Sequence, residues 1–113
     1  ARMVHDRAYA TEEVMRGYID PLLLPGTVAA VRKMAAANRD ESPVNLAAIT
    51  APTLVLSGAS DAAIPPARGE ALAAAIPGAR HVTIPEAGHL VAEEQPEAFL
   101  DEVLAFLREP VTA

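Results

Sequence analysis

No cysteine and no tryptophan occur among the 113 residues, and aromatic side chains make up only 4% of them. Without cysteine there are no disulfides, no thiolate metal site and no thiol nucleophile, and the redox compartment stays open. With so few aromatics, a core has to be assembled from many small Ala, Leu, Val and Ile contacts. Basic residues are scarce as well: 9 Lys and Arg stand against 15 Asp and Glu, for a formal net charge of −6, and no basic run exceeds the pair Arg32-Lys33. Nothing in that pattern neutralises a phosphate backbone, so nucleic acid is not an expected partner. No stretch of about 18 residues is continuously apolar, and the N-terminus carries neither a basic region nor an apolar one behind it. No membrane partner is expected, and the location expected is cytoplasmic. Three histidines, His5, His81 and His89, are too dispersed to read as a metal cluster, so neither a metal nor a cofactor is expected.

The chain does have apolar residues in ordinary proportion, 51%, which suits one globular domain of this length. Residues 1–40 read as helical. Thr11-Glu12-Glu13 opens a run through Val14, Met15, Tyr18 and Ile19 at helical spacing, which Pro21 and Pro25 interrupt. A second amphipathic run extends from Val28 to Asn38, and a short turn is expected between Asn45 and Ile49. The pattern changes after Pro52. Thr53-Leu54-Val55-Leu56-Ser57 is a nearly unbroken apolar run, the signature of a strand buried on both faces in a parallel sheet. A helix over Ala67–Ile76, stopped by Pro77-Gly78, and a second strand over Arg80–Ile84 complete a βαβ unit within about 30 residues. A last helix begins at Pro96 and is expected to bury Phe99, Leu100, Val103, Leu104 and Leu107. Two strands cannot by themselves cover the faces and edges of such a sheet, which implies further strands outside this chain.

Asp61 stands in the loop after the first strand, and His89 in the loop after the second. Ligand-binding and catalytic groups gather beyond the C-terminal ends of parallel strands, so neighbouring strands deliver both residues to one edge. The run Gly58-Ala59-Ser60-Asp61 with Ile64-Pro65, then Ile76-Pro77-Gly78-Ala79, Gly88-His89-Leu90 and Glu94-Gln95-Pro96-Glu97-Ala98-Phe99, taken in that order, resembles the C-terminal third of the α/β-hydrolase fold. The similarity lies with the lid-bearing branch of lactonases, esterases, carbon–carbon bond hydrolases, haloperoxidases, epoxide hydrolases and dehalogenases. It covers about half of the chain, while residues 1–50 are similar to the end of the lid and the core helix that follows.

That resemblance implies an α/β fold: a C-terminal βαβ-α portion with parallel strands flanked by helices, residues 1–25 closing a helical lid and 26–113 belonging to the core. It implies that Asp61 orients His89, and that His89 activates a Ser nucleophile or a water. A carboxylate on one imidazole nitrogen sets the tautomer that offers the other nitrogen to the reacting proton. The family's elbow motif, Gly-x-Ser-x-Gly, is absent from this sequence. The nucleophile, Ser or Asp, is therefore expected on another segment, such as an N-terminal half chain. The substrate would be a small apolar ester, lactone or related molecule, and the isolated chain would be inactive.

Alternatives remain open beside this. Taken alone, His89 reads as a structural histidine in a loop and Asp61 as a turn or capping residue before Pro65-Pro66. Ser57 and Ser60 read as ordinary loop residues, His5 and His81 as residues without a chemical task, and Glu86, Glu93 and Glu94 as solvated or helix-terminal charges. Pro21-Leu22-Leu23-Leu24-Pro25 reads as packing or as part of a substrate cavity. A non-catalytic, self-associating or regulatory module, a homo-oligomer among them, is the second function class.

Overall fold

The computed structural model of the chain describes residues 3–37 and 44–110. These fall into two compact units, one within Ala8–Val44 and one within Ala1–Arg7 and Asn45–Ala113. The boundary expected at residue 25 lies inside the first of these.

Within Ala8–Val44, helix α1 spans Glu12–Ile19 and is capped by Thr11, whose hydroxyl accepts the Val14 N–H at 3.3 Å. Glu12 and Glu13 place negative charge at the positive end of the helix. Pro21 does not simply end the helical path: Asp20–Leu23 continue it as a 3-10 turn, in which a proline at the first positions costs no hydrogen bond. Helix α2 covers Thr27–Ala37, and Asn38, its expected end, lies outside the described residues. Neither helix has a buried residue; Leu23, Leu24 and Met34 are all more than 60% exposed.

In the other unit, β1 (Leu54–Gly58) and β2 (Arg80–Ile84) pair in parallel, in a register that sets Leu54 opposite Arg80 and Gly58 opposite Ile84. The first strand starts one residue later than its apolar run, although the Thr53 carbonyl still accepts the Arg80 N–H at 3.0 Å. Helix α3 (Pro66–Ala75) links the two strands and packs on both. One helical turn, α4 (Val91–Glu94), and the long α5 (Pro96–Arg108) follow. The turn α4 has no signature in the sequence, because four residues carry no periodicity to read. This unit is thus a two-stranded parallel sheet dressed with helices, the βαβ-α order expected from the sequence.

The core is small: Ala73, Ile76, Ile84 and Ala87 are its buried apolar residues, all in this unit. Leu54, Val55 and Leu56 are half-buried, with β2 the sole neighbour of β1 among the described residues, in line with the expectation that two strands cannot cover such a sheet. The burial expected of α5 needs correction. On α5, Leu100, Leu104 and Leu107 are exposed, while Phe99, Val103 and Phe106 are half-buried. The helix carries two adjacent apolar rows at helical spacing, and only the second is half-buried, with Phe106 against Arg80 of β2. At the N-terminal ends of the strands a groove of about 430 Å³ opens between Thr53, Pro77, Arg80 and Phe106. There the Arg80 guanidinium stacks on the Phe106 ring at 5.6 Å and pairs with Glu109.

Candidate active site

Asp61 and His89 sit at the opposite end of the sheet from that groove. The loop after β1 is folded tightly onto the loop after β2: Ala59 donates its N–H to the Ile84 carbonyl at 2.9 Å, and Ser60 to the Ala87 carbonyl at 2.8 Å. Gly58 makes the contact possible, because a Cβ there would lie 2.0 Å from the Gly88 carbonyl oxygen and 2.6 Å from that of Ala87. On the other side, Glu86 turns the chain out of β2 with φ 53°, a left-handed conformation that non-glycine residues rarely adopt. Two backbones in van der Waals contact thus set the spacing of the side chains that follow them.

Within that frame the Asp61 carboxylate is fully engaged. One oxygen accepts the N–H groups of Ala63 at 2.8 Å and Ile64 at 2.9 Å, and the other faces His89 Nδ1 at 2.9 Å. The geometric expectation that these two residues meet is therefore met. Asp61 is buried, at 9% exposure, while the His89 side chain keeps 32%. Burial pushes the carboxyl upward, but the Ile64 N–H, the His89 ring, the Ala63 N–H and the charge of a protonated His89 together outweigh it, so its pKa lies below the ordinary 3.8. An ionised carboxylate only accepts hydrogen bonds, so Nδ1 carries the hydrogen. Nε2 is left as the basic nitrogen, with no hydrogen-bond partner among the described residues.

The remaining polar residues are engaged elsewhere. Ser57, on β1, is buried and bonds His81 Nε2 at 3.0 Å; Ser60 bonds His5 Nδ1 at 2.7 Å. His5 and His81 are thus half-buried hydrogen-bonding residues, and neither serine is bonded to His89. The Glu86 carbonyl accepts from the Gln95 side chain at 3.1 Å. Glu94 departs most from its reading as a solvated charge: its carboxylate accepts the Gly88 N–H at 2.9 Å and the His5 N–H at 2.6 Å. Its spacing five residues after His89 carried no signal, because the partners are backbone groups that any sequence possesses. Among the described residues no group of three or more His, Cys, Asp or Glu could hold a metal, and no helix is long and apolar enough to cross a membrane.

Comparison with known proteins places this geometry in context. The family model described as TAP-like protein matches residues 14–112. An esterase structure from Thermogutta terrifontis is 48% identical and superposes with a TM-score of 0.55, over 56% of this chain and 23% of its own. The enol-lactonase from Burkholderia xenovorans LB400 is 46% identical with a TM-score of 0.52, over 54% of this chain and 23% of its own. A meta-cleavage product hydrolase, CumD, is only 20% identical and so speaks to the fold alone. It superposes over 96% of this chain and 42% of its own, with a TM-score of 0.75. The chain thus spans less than half the length of these relatives, and 22% of the length of the curated mycobacterial proteins it matches.

Proposed function

This chain belongs to the TAP-like protein family of α/β-hydrolases, and on that premise we propose that it supplies the acid and base of a nucleophile–His–Asp triad. Asp61 is the acid and His89 the base. The observation that carries the proposal is the bond from His89 Nδ1 to Asp61 Oδ2, 2.9 Å long, with the carboxylate held by two further N–H donors. A carboxylate fixed on three sides cannot turn away from the ring, so the imidazole keeps one direction and, while neutral, one tautomer. That nitrogen takes the proton of an attacking hydroxyl or water and returns it to the leaving group, while Asp61 stabilises the imidazolium formed between those steps.

The nucleophile and the oxyanion donors come from residues outside this sequence, in a complete enzyme. Similarity to an esterase and an enol-lactonase supports a small, largely apolar ester or lactone as substrate. In the complete enzyme, Asp61→Asn is expected to lower kcat toward a p-nitrophenyl ester by about 10⁴-fold, the scale that follows when a triad histidine loses its tautomer. His89→Ala should cost at least as much. The 113-residue chain alone should give no His89-dependent turnover, because no preorganised donors stabilise the developing charge. Undiminished kcat in either variant sinks the triad; turnover by the isolated chain that disappears with His89→Ala sinks the claim of an external nucleophile.

A second reading, a self-associating module without catalysis, is favoured by the open edge of β1 and the exposed Leu100, Leu104 and Leu107 on α5. It predicts full association together with indifference of the complete protein's turnover to both substitutions.

A further inference from the structure

The N–H groups of Gly88, His89 and Leu90 are each taken by an acceptor from another part of the chain. Oε1 of Glu94 accepts from Gly88 at 2.9 Å and from Leu90 at 3.3 Å, and the Met3 carbonyl accepts from His89 at 2.7 Å. The second oxygen of Glu94 accepts from the His5 N–H at 2.6 Å. A single carboxylate therefore ties the His89 loop to the segment running from Met3 to His5. The two backbones touch: a Cβ on Gly88 would lie 2.6 Å from the Met3 carbonyl oxygen and 2.8 Å from Val4 Cα. The His5 ring then reaches Ser60 Oγ at 2.7 Å, in the loop that also carries Asp61.

We propose that Glu94 is the positioning residue of His89, and that it works by clamping the loop between α4 and the strap Met3–His5. The proposal rests on the reading of His89 as the base, but its physics is independent of turnover. Leu90 precedes the first turn of α4, where N–H groups have no partner within the helix. A side chain reaching back to such donors resembles a capping box, here extended to Gly88 and to a second segment. Only a carboxylate accepts at both oxygens, and charge strengthens each bond. A glutamine in the same place turns one acceptor into an NH₂ that faces an N–H, either at His5 or at the Gly88–Leu90 pair. Once the loop N–H groups are released, the His89 backbone is free to rotate and its ring no longer presents Nδ1 to Asp61 alone.

The test uses the full chain labelled with ¹⁵N, comparing Glu94→Gln and Glu94→Ala with the parent. Amide exchange at Gly88 and Leu90, or at His5 in whichever orientation Gln adopts, is expected to accelerate about tenfold or more. The imidazole ¹⁵N shifts of His89 at neutral pH should move from the Nδ1–H form toward a mixture of tautomers. His5→Ala is the control, since its donor to Glu94 is the backbone N–H, and it should leave both readouts at Gly88, Leu90 and His89 as in the parent. Unchanged exchange and an unchanged tautomer in both Glu94 variants overturn the proposal. Loss of the far-UV circular dichroism spectrum in both overturns it equally, because Glu94 would then be a requirement of the whole fold. An effect of His5→Ala as large as that of Glu94→Gln overturns it too, by assigning the clamp to the ring. None of these readouts involves hydrolysis, so a failure of the triad reading, seen as undiminished kcat in His89→Ala, is recognised separately.

Discussion

Asp61 joins three roles in one carboxylate: it closes its own turn through Ala63 and Ile64, it is buried, and it holds the His89 ring. Its lowered pKa makes it a source of pH-dependent stability. A carboxyl whose pKa is lower folded than unfolded stabilises the folded state fully above the unfolded value, and that contribution disappears as pH falls through the folded one. The window therefore lies below the ordinary value of 3.8. Urea midpoints measured down the acid limb should fall more steeply for the parent than for Asp61→Asn, which has no such proton to bind. Equal slopes would mean that the carboxylate gains nothing from its three partners. Neighbouring polar residues contribute differently: the part-buried Ser57–His81 bond joins the two strands on the face that packs against Gly69 of α3.

At the level of elements, the site depends on how closely the two loops after β1 and β2 approach. Gly58→Ala puts a methyl against two backbone carbonyls at 2.0 and 2.6 Å, and neither can swing aside as a flexible side chain would. A destabilisation of about 1–3 kcal/mol is expected from such overpacking, read from urea denaturation. Part of the strain should appear as a weakened Asp61–His89 bond, visible in the His89 imidazole ¹⁵N shifts. A cost below about 0.5 kcal/mol, the range of ordinary surface substitutions, would show that the loops have room to separate.

Helix α1 offers a second comparison of magnitudes. Its Glu12–Arg16 pair, 2.8 Å long but with side chains 82% and 69% exposed respectively, belongs to the class of helix pairs worth about 0.3–0.5 kcal/mol. The Thr11 cap belongs to a class worth about 0.5–2 kcal/mol, and its 3.3 Å bond points to the lower part of that range. Thr11→Ala should therefore reduce helicity more than Glu12→Gln, as measured by circular dichroism at low temperature. The reverse order would mean that the ion pair, not the cap, starts this helix.

For the molecule as a whole, the decisive quantity is apolar surface left without cover. Among the described residues no large side chain is fully buried, and β1 has a neighbour on one side only. A free strand edge and a few hundred Å² of uncovered apolar area, at about 25 cal/mol per Å², amount to roughly 5–10 kcal/mol, as much as the stability of an ordinary domain. Association removes that cost, whether through the strand edge, through the Leu100, Leu104 and Leu107 row of α5, or against a complementary chain. Light scattering over a concentration series should report a mass that rises above that of one chain. A cooperatively folded monomer that persists at high concentration would mean that the exposed rows carry no such cost.

By itself the amino-acid order determined the local events. Turn and cap chemistry at Thr11, Pro52 and Pro77-Gly78, the apolar run at 53–57, the strand pattern at 80–84, and the helical spacing from Pro96 onward each act within a few residues. A linear pattern expresses such short-range preferences directly. The same order placed Asp61 and His89 after successive strands, and so brought them to one edge. Only tertiary structure decided which apolar row of α5 is the more buried, because two rows at the same spacing are indistinguishable until one of them has a partner. It also decided the role of Glu94 and of the strap from Met3 to His5, since their contacts join residues as many as 89 positions apart through backbone N–H and carbonyl groups that every residue type shares. A hydrogen bond to the backbone leaves no mark in the identity of the residue that supplies it, and only folding brings such groups within reach of a carboxylate.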